Sequence, residues 1–363
     1  MHDKIDIGAL VQKALYEALR ERGHVNILIA GRTGVGKSTL INAIFQGNMA
    51  ETGQGRPVTQ TTREITKGDI PLSIFDTRGL ELADFDATLQ ELRGFVVKRA
   101  QETDARKHIH VGWVCILEDL RRVEPAEENL TKMLAEHMPV VVVITQVRSD
   151  AGFRAKVQSL LPIARNVMRV RAFPEELDGG HVIPQTGLRE LIDLTNELVP
   201  EGQRRAFTAA QKVDIALKKR QSHIIVAGAA TAAAAAGAAP IPFADAIVIV
   251  PIQVGMLAGI TATFGLSLDE GLLTSVVASM VGGSGATVVG RAIVGALLKF
   301  VPGVGTLAGG LISAGTAAAL TTALGEMYIA TLELLFNRHN GEPPTADEVV
   351  KTFKQRYLQI TSG

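Results

Sequence analysis

Cysteine and net charge are both scarce in this chain of 363 residues. A single cysteine, Cys115, excludes an internal disulfide bond and fits a reducing compartment. The 37 basic residues balance the 37 acidic residues, so the composition does not indicate a nucleic-acid partner.

Charge is also missing from one long part of the sequence. Of the 74 charged residues (37 basic plus 37 acidic), five fall between residues 223 and 325, and these are Asp245, Asp269, Glu270, Arg291 and Lys299. The chain is therefore predicted to consist of two different parts joined end to end.

The first 23 residues have no apolar run of the kind found in secretory signals. Their apolar residues, from Ile7 to Leu19, instead recur at helical spacing. Residues 1–23 are therefore predicted to form an amphipathic helix that ends at Gly23.

A glycine-rich motif follows this helix. Residues 31–38, GRTGVGKS, match the pattern G-x-x-x-x-G-K-[ST] between the strand-like run HVNILIA and a helical segment. The glycines let backbone N–H groups surround phosphate oxygens, Lys37 reaches the β- and γ-phosphates, and the Ser38 hydroxyl is a ligand of Mg²⁺. The nucleotide-binding residues predicted in this loop are Gly31, Thr33, Gly34, Val35, Gly36, Lys37, Ser38 and Thr39.

Candidate partners for magnesium and the γ-phosphate come next in the sequence. Asp76 ends a strand-like run and is placed to hold Mg²⁺, and Gly79 can donate its backbone N–H to the γ-phosphate. A threonine between residues 59 and 62 closes the metal shell, with Thr62 favoured over Thr59; the alternative is that these threonines are ordinary loop residues. The predicted catalytic residues are Lys37, Thr62 and Gly79, and the predicted metal ligands are Ser38, Thr62 and Asp76.

Strands and helices are predicted to alternate from residue 24 to residue 200. The strands are the two arms of the hairpin ITKGDIPLSIF, then HIHVGWVCIL, PVVVVIT and a short strand near 181–184; the helices lie near 82–107, 154–167 and 187–198, with another that begins near Glu124-Pro125. Near-continuous apolar strands of this kind are typical of a mostly parallel sheet with helices on both faces. Cys115 and Trp113 are predicted to be core residues of such a strand.

Three motifs carry a family resemblance. GRTGVGKS, TTRE at 61–64 and DTRG at 76–79 together make residues 24–199 similar to the translation-factor-related GTPases of the Era and TrmE type. The whole chain resembles the bacterial YcjF/YfjP-like GTPases, and PIPFADAIVIVPIQ is similar to a stretch of their hydrophobic domain. More distantly, the chain is similar to the immunity-related GTPases, which act on membranes. The resemblance implies GTP as the ligand, with Mg²⁺.

One departure from this family concerns the base. The family carries N-K-x-D or T-K-x-D after its fifth strand, and the aspartate accepts two hydrogen bonds from guanine. Here Thr145 and Gln146 align with the first two positions, but Arg148, a donor only, stands where the aspartate is expected. Either Asp150 reaches the base, or specificity is weaker than in the family; GTP is favoured over ATP because of the resemblance. The segment IPQTGLREL resembles the family's S-A-x-x-G stretch, which places Gln185 and Thr186 near the base.

A second departure concerns hydrolysis. Leu80 follows D-x-x-G, where many small GTPases carry the glutamine that orients the attacking water, so slow hydrolysis is expected. Gly34 stands where potassium-stimulated relatives have asparagine, so activation by K⁺ is not expected. An arginine supplied in trans is worth ~10³–10⁵ in rate. Arg78 and Arg121-Arg122 are the candidates if a homodimer forms across the nucleotide faces, although solvated surface charge is the favoured interpretation of these arginines.

The second half of the chain is predicted to be helical. Residues 201–222 form a basic connecting helix, residues 223–336 a hydrophobic domain of helical hairpins, and residues 337–363 a polar tail whose amphipathic helix begins after Thr345. The apolar stretches are 224–239, 246–266, 272–298 and 301–325. A spanning helix needs ~20 apolar residues, and 246–266 meets that length without a charge.

Membrane association with the GTPase domain on the cytoplasmic side is therefore the favoured localisation. Basic residues flank the hydrophobic domain on both sides, and an even number of crossings leaves both flanks in the cytoplasm. Reversible insertion and a soluble cytoplasmic bundle remain the alternatives, since Asp245 and Arg291 each cost ~2.5–3.5 kcal/mol at the centre of a bilayer. Asp245 is either a functional residue or the cap of the helix that begins there.

The predicted architecture is an α/β P-loop GTPase domain over residues 24–200 followed by an all-α hydrophobic helical-hairpin domain. The favoured function is a slow, Mg²⁺-dependent GTPase that couples its nucleotide state to a membrane-associated helical domain. Two alternatives stay open: a nucleotide-stabilised membrane scaffold that does not hydrolyse, and a soluble Era-like assembly GTPase. The second is disfavoured because the sequence shows no basic RNA-binding appendage.

Overall fold

The structure is a computed structural model that describes residues 6–52, 54–57, 59, 62–77, 85–237, 245–281 and 314–362. The chain divides into two compact units. Residues 23–214 form one, and residues 1–22 together with residues 215–363 form the other.

A seven-stranded sheet lies at the centre of the first unit, in the order β2-β3-β4-β1-β5-β6-β7. Its strands are β1 (Val25–Ala30), β2 (Gln54–Pro57), β3 (Thr62–Thr66), β4 (Leu72–Thr77), β5 (Val111–Leu117), β6 (Val140–Thr145) and β7 (Asn166–Val170). Strands β4, β1, β5, β6 and β7 pair with one another in parallel. The β2–β3 and β3–β4 pairs are antiparallel. A separate two-stranded ribbon pairs β8 (Glu175–Leu177) with β9 (His181–Ile183).

Helices cover both faces of this sheet, as predicted. They are α2 (Lys37–Ile44), α3 (Met49–Thr52), α4 (Phe85–Ala100), α5 (Pro125–Ala135), α6 (Phe153–Leu160), α7 (Leu188–Leu198) and α8 (Glu201–Ala210). On one face, Val114 and Ile116 join a core with residues of α4, α5 and α6. On the other face, Trp113 stacks on Phe45, 5.9 Å between ring centroids, and its indole N–H donates to Thr195 of α7. The predicted fold class is confirmed.

The segment after α6 differs from the prediction. A helix was expected near 154–167, but α6 ends at Leu160 and residues 166–170 form the edge strand β7. Apolar residues continue at helical spacing past this point, yet Pro162 cannot continue the hydrogen-bond ladder. The proline was the signal for the helix end.

The second unit is a bundle of helices. They are α1 (Ile7–Arg22), α9 (Ile215–Gly237), α10 (Asp245–Phe264), α11 (Glu270–Val281), α12 (Ala314–Arg338) and α13 (Ala346–Ser362). Leu15 of α1, Leu257 of α10, Tyr328 of α12 and Phe353 of α13 belong to one buried core. Helices α9 and α12 approach closely at Gly325, where a Cβ would lie 2.5 Å from a methyl group of Val226.

The structure places two of the predicted helical segments, residues 1–23 and 201–222. The amphipathic helix predicted over residues 1–23 packs against α10 and α11. The helix predicted over 201–222 is interrupted between α8 and α9, where the Gln211 amide accepts from the N–H of Asp214 at 2.7 Å and donates to its carbonyl at 2.9 Å. A side-chain turn of this kind ends a helix without glycine or proline.

Only part of the predicted apolar stretches lies within the residues that the structure describes. The stretch 246–266 corresponds to α10, whereas 282–313, together with Arg291, lies outside the described residues. Among those residues one helix, Gly315–Arg338, is long and apolar enough to cross a membrane, and 56% of its most apolar window is buried within the protein. Length and composition of this kind are weak evidence, because core helices of soluble proteins share them.

Candidate functional site

The loop between β1 and α2 contains three glycines, Gly31, Gly34 and Gly36, whose positive φ angles favour glycine. Gly31 has φ 149°, and a Cβ there would lie 2.6 Å from the carbonyl oxygen of Cys115. Gly36 has φ 94° and caps the N-terminus of α2. The glycines of the motif therefore let the loop turn tightly over β5 and into the helix.

Lys37 is the first residue of α2, and its ammonium group stays over this loop. It donates to the carbonyl oxygens of Gly31 at 2.7 Å and of Arg32 at 3.0 Å. Ser38 and Thr39 are exposed in the same first turn. In the loop itself, Val35 is buried whereas Thr33 and Gly34 are exposed. The lysine, the two hydroxyls and the helix N-terminus thus face the same small region.

The candidate metal ligands lie on the neighbouring strands. Asp76 is opposite Ile29 of β1 and opposite Arg63 of β3, and Thr62 is opposite Thr77. The side chains of Asp76 and Thr62 are both buried. Gly79, Arg78 and Leu80 lie outside the described residues.

Cys115 lies beneath this region. Burial raises the pKa of its thiol to about 12, while the charges of Lys37 and Asp76 shift that pKa in opposite directions. The thiol is therefore protonated at neutral pH, which fits the predicted packing role.

The residues present suit a magnesium ion held together with a phosphate ligand. Mg²⁺ is usually bound through one or two carboxylates, waters and substrate phosphates rather than by a cage of protein side chains. Asp76 provides a carboxylate, and Ser38 and Thr62 provide hydroxyls. The described residues include no group of three or more His, Cys, Asp or Glu side chains that could hold a metal without such a ligand.

A cavity of about 260 Å³ opens beside this loop, at the ends of β6 and β7. It is lined by Gly36, Thr39, Leu40, Thr145, Gln146, Val170, Arg171, Ala172 and Phe173. Thr145 and Gln146 were predicted to lie near the base of a nucleotide. Residues 170–173 were not, because the strand that leads to them was not predicted: the expected helix ended near 167, and the next expected strand began near 181. Val167, Met168 and Val170, after Pro162, were the available signal.

The residues at the end of β6 hold the phosphate loop in place. The Thr145 hydroxyl donates to the carbonyl of Val35 at 2.6 Å, and the Gln146 amide lies 3.4 Å from the carbonyl of Gly34. Gln146 itself has φ 54°, in the left-handed region. The two predicted base residues are thus brought together with the phosphate loop.

Glu118, directly after β5, organises the loop that follows β6. Its buried carboxylate accepts from the backbone N–H groups of Arg148 at 2.5 Å and Ser149 at 3.0 Å, and from the Arg169 guanidinium at 2.6 Å. Burial opposes the charge of Glu118, but these hydrogen bonds outweigh it and lower the pKa of the carboxyl group. Sequence reasoning missed this residue.

Arg148 and Asp150 both point to partners other than a base. The Arg148 guanidinium binds the carboxylate of Glu175 and lies 3.5 Å from Asp119. Asp150 accepts from the backbone N–H of Arg154 at 2.9 Å, at the start of α6, and lies 3.5 Å from Nε of Arg169. Asp150, predicted as a nucleotide contact, is not among the residues that line the cavity.

Glu175 joins two arginines at the edge of the cavity. The hydrogen bond from Arg148, together with the charge of Arg171, holds the pKa of Glu175 at about 2. The predicted base residues Gln185 and Thr186 lie behind the same segment. The Gln185 amide donates to the carbonyl of Ala172 at 2.6 Å, and Thr186 exchanges backbone hydrogen bonds with Arg171. They support the cavity wall and do not line it.

Arg121 and Arg122, two of the arginines considered for catalysis in trans, have partners inside this unit. Arg121 donates to the carbonyls of Asp150, at 2.6 Å, and Ser149, and its guanidinium lies 5.7 Å from the ring centroid of Phe153. Arg122 pairs with Glu124 at 2.6 Å. Arg121 therefore fixes the loop after β6.

Comparisons with known proteins match the two halves of the chain separately. Residues 26–146 match the family described as 50S ribosome-binding GTPase, and residues 202–358 match the family described as a domain of unknown function, DUF697. The first match includes the phosphate loop and agrees with the GTPase fold that the motifs predicted.

Two of the curated relatives that match the chain are named as GTPases. The chain is 26% identical over 184 residues to GTPase Era of Thermoanaerobacter sp. (strain X514), which covers 49% of this chain and 55% of that protein. It is 30% identical over 152 residues to the tRNA modification GTPase MnmE of Rhizobium meliloti (strain 1021), which covers 40% of this chain and 30% of that protein. The chain thus spans about half the length of the first relative and less of the second.

A solved structure, of a probable GTP-binding protein engB, is 16% identical, with a TM-score of 0.33 over 48% of this chain and 98% of that chain.

Proposed function

We propose that this protein binds GTP with Mg²⁺, hydrolyses it slowly, and couples its nucleotide state to a helical unit that associates with lipid. One arrangement carries the nucleotide part. The Lys37 ammonium lies over the phosphate loop, and Asp76 pairs with Ile29 of the strand that leads into that loop. Gly36 and Thr39 line the cavity at the ends of β6 and β7. This arrangement suits γ-phosphate, metal and base of a single nucleotide.

Each group of the site has a separate task in this proposal. Backbone N–H groups of residues 31–36 and the Lys37 ammonium bind phosphate oxygens, and Ser38, Thr62 and Asp76 hold Mg²⁺. The metal, when bound, neutralises negative charge on the β- and γ-phosphates. Gly79 donates its backbone N–H to the γ-phosphate. Thr145 and Gln146 keep the loop in register with the base cavity.

Slow hydrolysis follows from what the site offers to the attacking water. Leu80 cannot orient a water molecule, and Arg121 and Arg122 are bound to partners of their own unit. Rate enhancement then depends on phosphate positioning, Mg²⁺ and Lys37. A homodimer across the nucleotide faces, with an arginine supplied in trans, would add to it; hydrolysis per molecule should then rise with protein concentration.

Single-turnover hydrolysis of GTP labelled at the γ-phosphate tests this proposal. We expect Mg²⁺-dependent release of phosphate that stops in EDTA. A protein that binds GTP but releases no phosphate above background would instead be the nucleotide-stabilised scaffold.

Lys37→Ala tests the phosphate loop. It should lower triphosphate affinity about 10-fold or more, because a charge-assisted hydrogen bond contributes ~1.5–3 kcal/mol. Lys132→Ala is the control, since Lys132 is an exposed residue of α5 that pairs with Glu128. Unchanged affinity in Lys37→Ala would contradict the proposal.

The proposed lipid association is supported by the uncharged ends of two helices. Between His223 and Gly237, α9 carries no charged residue, and neither does α12 before Glu326. Residues of both helices in these segments, among them Thr231, Ala232 and Thr322, are exposed. The orientation that we propose keeps the GTPase unit on the cytoplasmic side, because basic residues flank the apolar region.

Membrane fractionation tests this part independently. We expect the protein in the membrane pellet after carbonate extraction and in the supernatant after detergent. Release by carbonate would indicate reversible, peripheral association. Complete recovery in the high-speed supernatant without either treatment would show a soluble cytoplasmic protein and overturn the localisation.

We also propose that nucleic acid is not a partner, although the name of MnmE refers to tRNA modification. The support is the balance of 37 basic and 37 acidic residues. Addition of tRNA or ribosomal RNA should leave the rate of GTP hydrolysis unchanged.

A further inference from the structure

The wall of the base cavity carries a positive charge. Among the described residues that line it, Arg171 is the charged one, and it is accompanied by Gln146, Val170, Ala172 and Phe173. Arg171 is 6% exposed, so its position is set by the protein rather than by solvent. A buried cation in the wall of a cavity constrains the chemistry of what can bind there.

Arg171 is held at three points. Its Nε donates to the carbonyl of Val147 at 2.8 Å, Nη2 donates to the carbonyl of Gln146 at 3.2 Å, and Nη1 pairs with Glu175 at 2.5 Å. A guanidinium has five N–H groups. These contacts use three of them among the described residues, which leaves donors on a rigidly fixed group.

The nearby carboxylates are committed elsewhere. Glu118 binds two backbone N–H groups and Arg169, Asp150 binds the start of α6 and Arg169, and Glu175 binds two arginines. None of these three belongs to the described lining of the cavity. The described wall therefore contains the Arg171 guanidinium and no carboxylate.

This arrangement distinguishes between purine edges. Guanine and hypoxanthine present acceptors at O6 and N7, and arginine pairs well with this edge, whereas adenine presents an N–H donor at the 6-position. The 2-amino group separates guanine from hypoxanthine, and a strong hydrogen bond to that group requires a charged acceptor such as a carboxylate.

We infer that Arg171 is a specificity-determining residue that reads the 6-oxo group of a purine, and that the site does not read the 2-amino group. The substrate class is then 6-oxopurine triphosphates, with GTP and ITP bound alike and ATP bound more weakly. This inference rests on the proposed nucleotide-binding function and names the base chemistry of the same cavity.

Competition against a GTP analogue labelled on its ribose tests the inference, with GTP, ITP and ATP as competitors. We expect GTP and ITP to agree within about twofold and ATP to be weaker by about tenfold, which corresponds to one good bidentate pair. A preference of GTP over ITP of tenfold or more would overturn the inference while leaving the proposed function intact. If the labelled analogue does not bind, both fail.

Variants separate specificity from structure. Arg171→Gln should reduce the preference for GTP over ATP to about twofold, whereas a purely structural role would weaken all three nucleotides equally. Arg93→Gln is the control, because Arg93 is an exposed residue of α4 that pairs with Glu136 and does not line the cavity; it should keep the preference. Arg171→Lys is the second variant, for the case that Arg171→Gln does not fold. Lysine retains a hydrogen-bond donor, so the affinity for GTP should stay higher than that for ATP even if both affinities fall.

Asp150→Asn tests the alternative reader. Asparagine still accepts a hydrogen bond at the start of α6, so the fold should be retained. We expect the ratio of GTP to ITP affinity to stay unchanged. A selective loss of GTP affinity in this variant would make Asp150 the acceptor for the 2-amino group and overturn the inference.

Discussion

Glu118 shows how a single buried carboxylate can order a functional loop. A fully buried charge is tolerated when its lone pairs are satisfied, and Glu118 is bound by two backbone N–H groups and the Arg169 guanidinium. Those N–H groups belong to residues 148 and 149, which follow directly from the base-cavity residue Gln146. The carboxylate therefore acts on the shape of the cavity through the backbone.

Glu118→Gln should destabilise the nucleotide unit by about 3–5 kcal/mol, because it leaves Arg169 without its buried counter-charge. The sole tryptophan, Trp113, is buried in this unit, so urea unfolding followed by its fluorescence measures the effect. Glu136→Gln, at an exposed residue paired with Arg93, should stay within ~0.5 kcal/mol. Equal stabilities of the two variants would contradict the assigned role.

The same carboxylate predicts a dependence on acid. Because the pKa of Glu118 is lowered in the folded state, its contribution is present above the ordinary value of 4.5 and is lost as pH falls below that value through the folded pKa. We expect the Trp113-monitored stability of Glu118→Gln to fall less steeply than that of the unaltered protein below this pH.

Lys218 is a buried cation of the other unit. Its Nζ donates to the carbonyl of Phe264 at the end of α10, 2.9 Å away, and lies 5.6 Å from the ring centroid of Phe336. Burial lowers the pKa of Lys218 well below 10.5. Between this lowered pKa and the ordinary value of 10.5, Lys218 is therefore protonated in the unfolded chain and mostly neutral in the folded unit.

The stability of the helical unit should consequently rise with pH within that interval, by at most ~1.4 kcal/mol per pH unit. All three tyrosines belong to this unit, so their second-derivative absorbance during urea unfolding, at a series of pH values below 10.5, measures the slope. Lys218→Met should flatten it, and Lys219→Met, at the partly exposed partner of Glu333, should retain it. A slope that persists in Lys218→Met would exclude this lysine as its source.

At the scale of elements, two helix starts differ by one steric contact. Gly152 before α6 has φ 80° and Gly187 before α7 has φ 76°. A Cβ at Gly152 would meet nothing within 4 Å, whereas a Cβ at Gly187 would lie 1.9 Å from the carbonyl oxygen of Arg169. An alanine at either position would therefore have a strained backbone, but only at Gly187 would it also clash with a neighbouring atom.

Gly152→Ala should cost ~1–2 kcal/mol from the left-handed backbone alone, and Gly187→Ala should cost at least ~1–3 kcal/mol more. Urea unfolding monitored through Trp113 compares the two directly. Similar losses would mean that the start of α7 can move away from β7, and that the contact with Arg169 does not hold it.

Elements were predictable from sequence where their signals are local. The strand β6 is a valine run, and α5 begins at Pro125 with a hydrogen bond from the Glu124 N–H to Glu127. The phosphate loop carries its own motif. The cavity wall was not predictable in the same way, because Gln146 meets Arg171 only through the pairing of β6 with β7, and β7 had not been predicted as a strand. The ion pair of Arg148 with Glu175 depends on the same pairing.

At the scale of the whole molecule, the charge distribution predicted one charged and one nearly uncharged part of the chain. It did not predict which part the first helix packs against. Amphipathic spacing specifies that α1 has one apolar face; it does not specify the surface that covers it. In the structure, Val11, Ala14, Leu15 and Ala18 are buried in the core of the helical unit. That unit is therefore built from both ends of the chain.

Leu15→Ala tests this assignment. The change removes a side chain that is 7% exposed in the helical core, and large-to-small core substitutions cost ~2–5 kcal/mol. We expect the tyrosine-monitored unfolding of the helical unit to shift to lower urea. Leu19→Ala is the matched control on the same helix, because Leu19 is 46% exposed, and it should shift unfolding by less than ~0.5 kcal/mol. If Leu15→Ala instead moves the Trp113 transition and leaves the tyrosine transition in place, α1 belongs with the nucleotide unit, since only a helix packed in that unit's core would act on its stability alone.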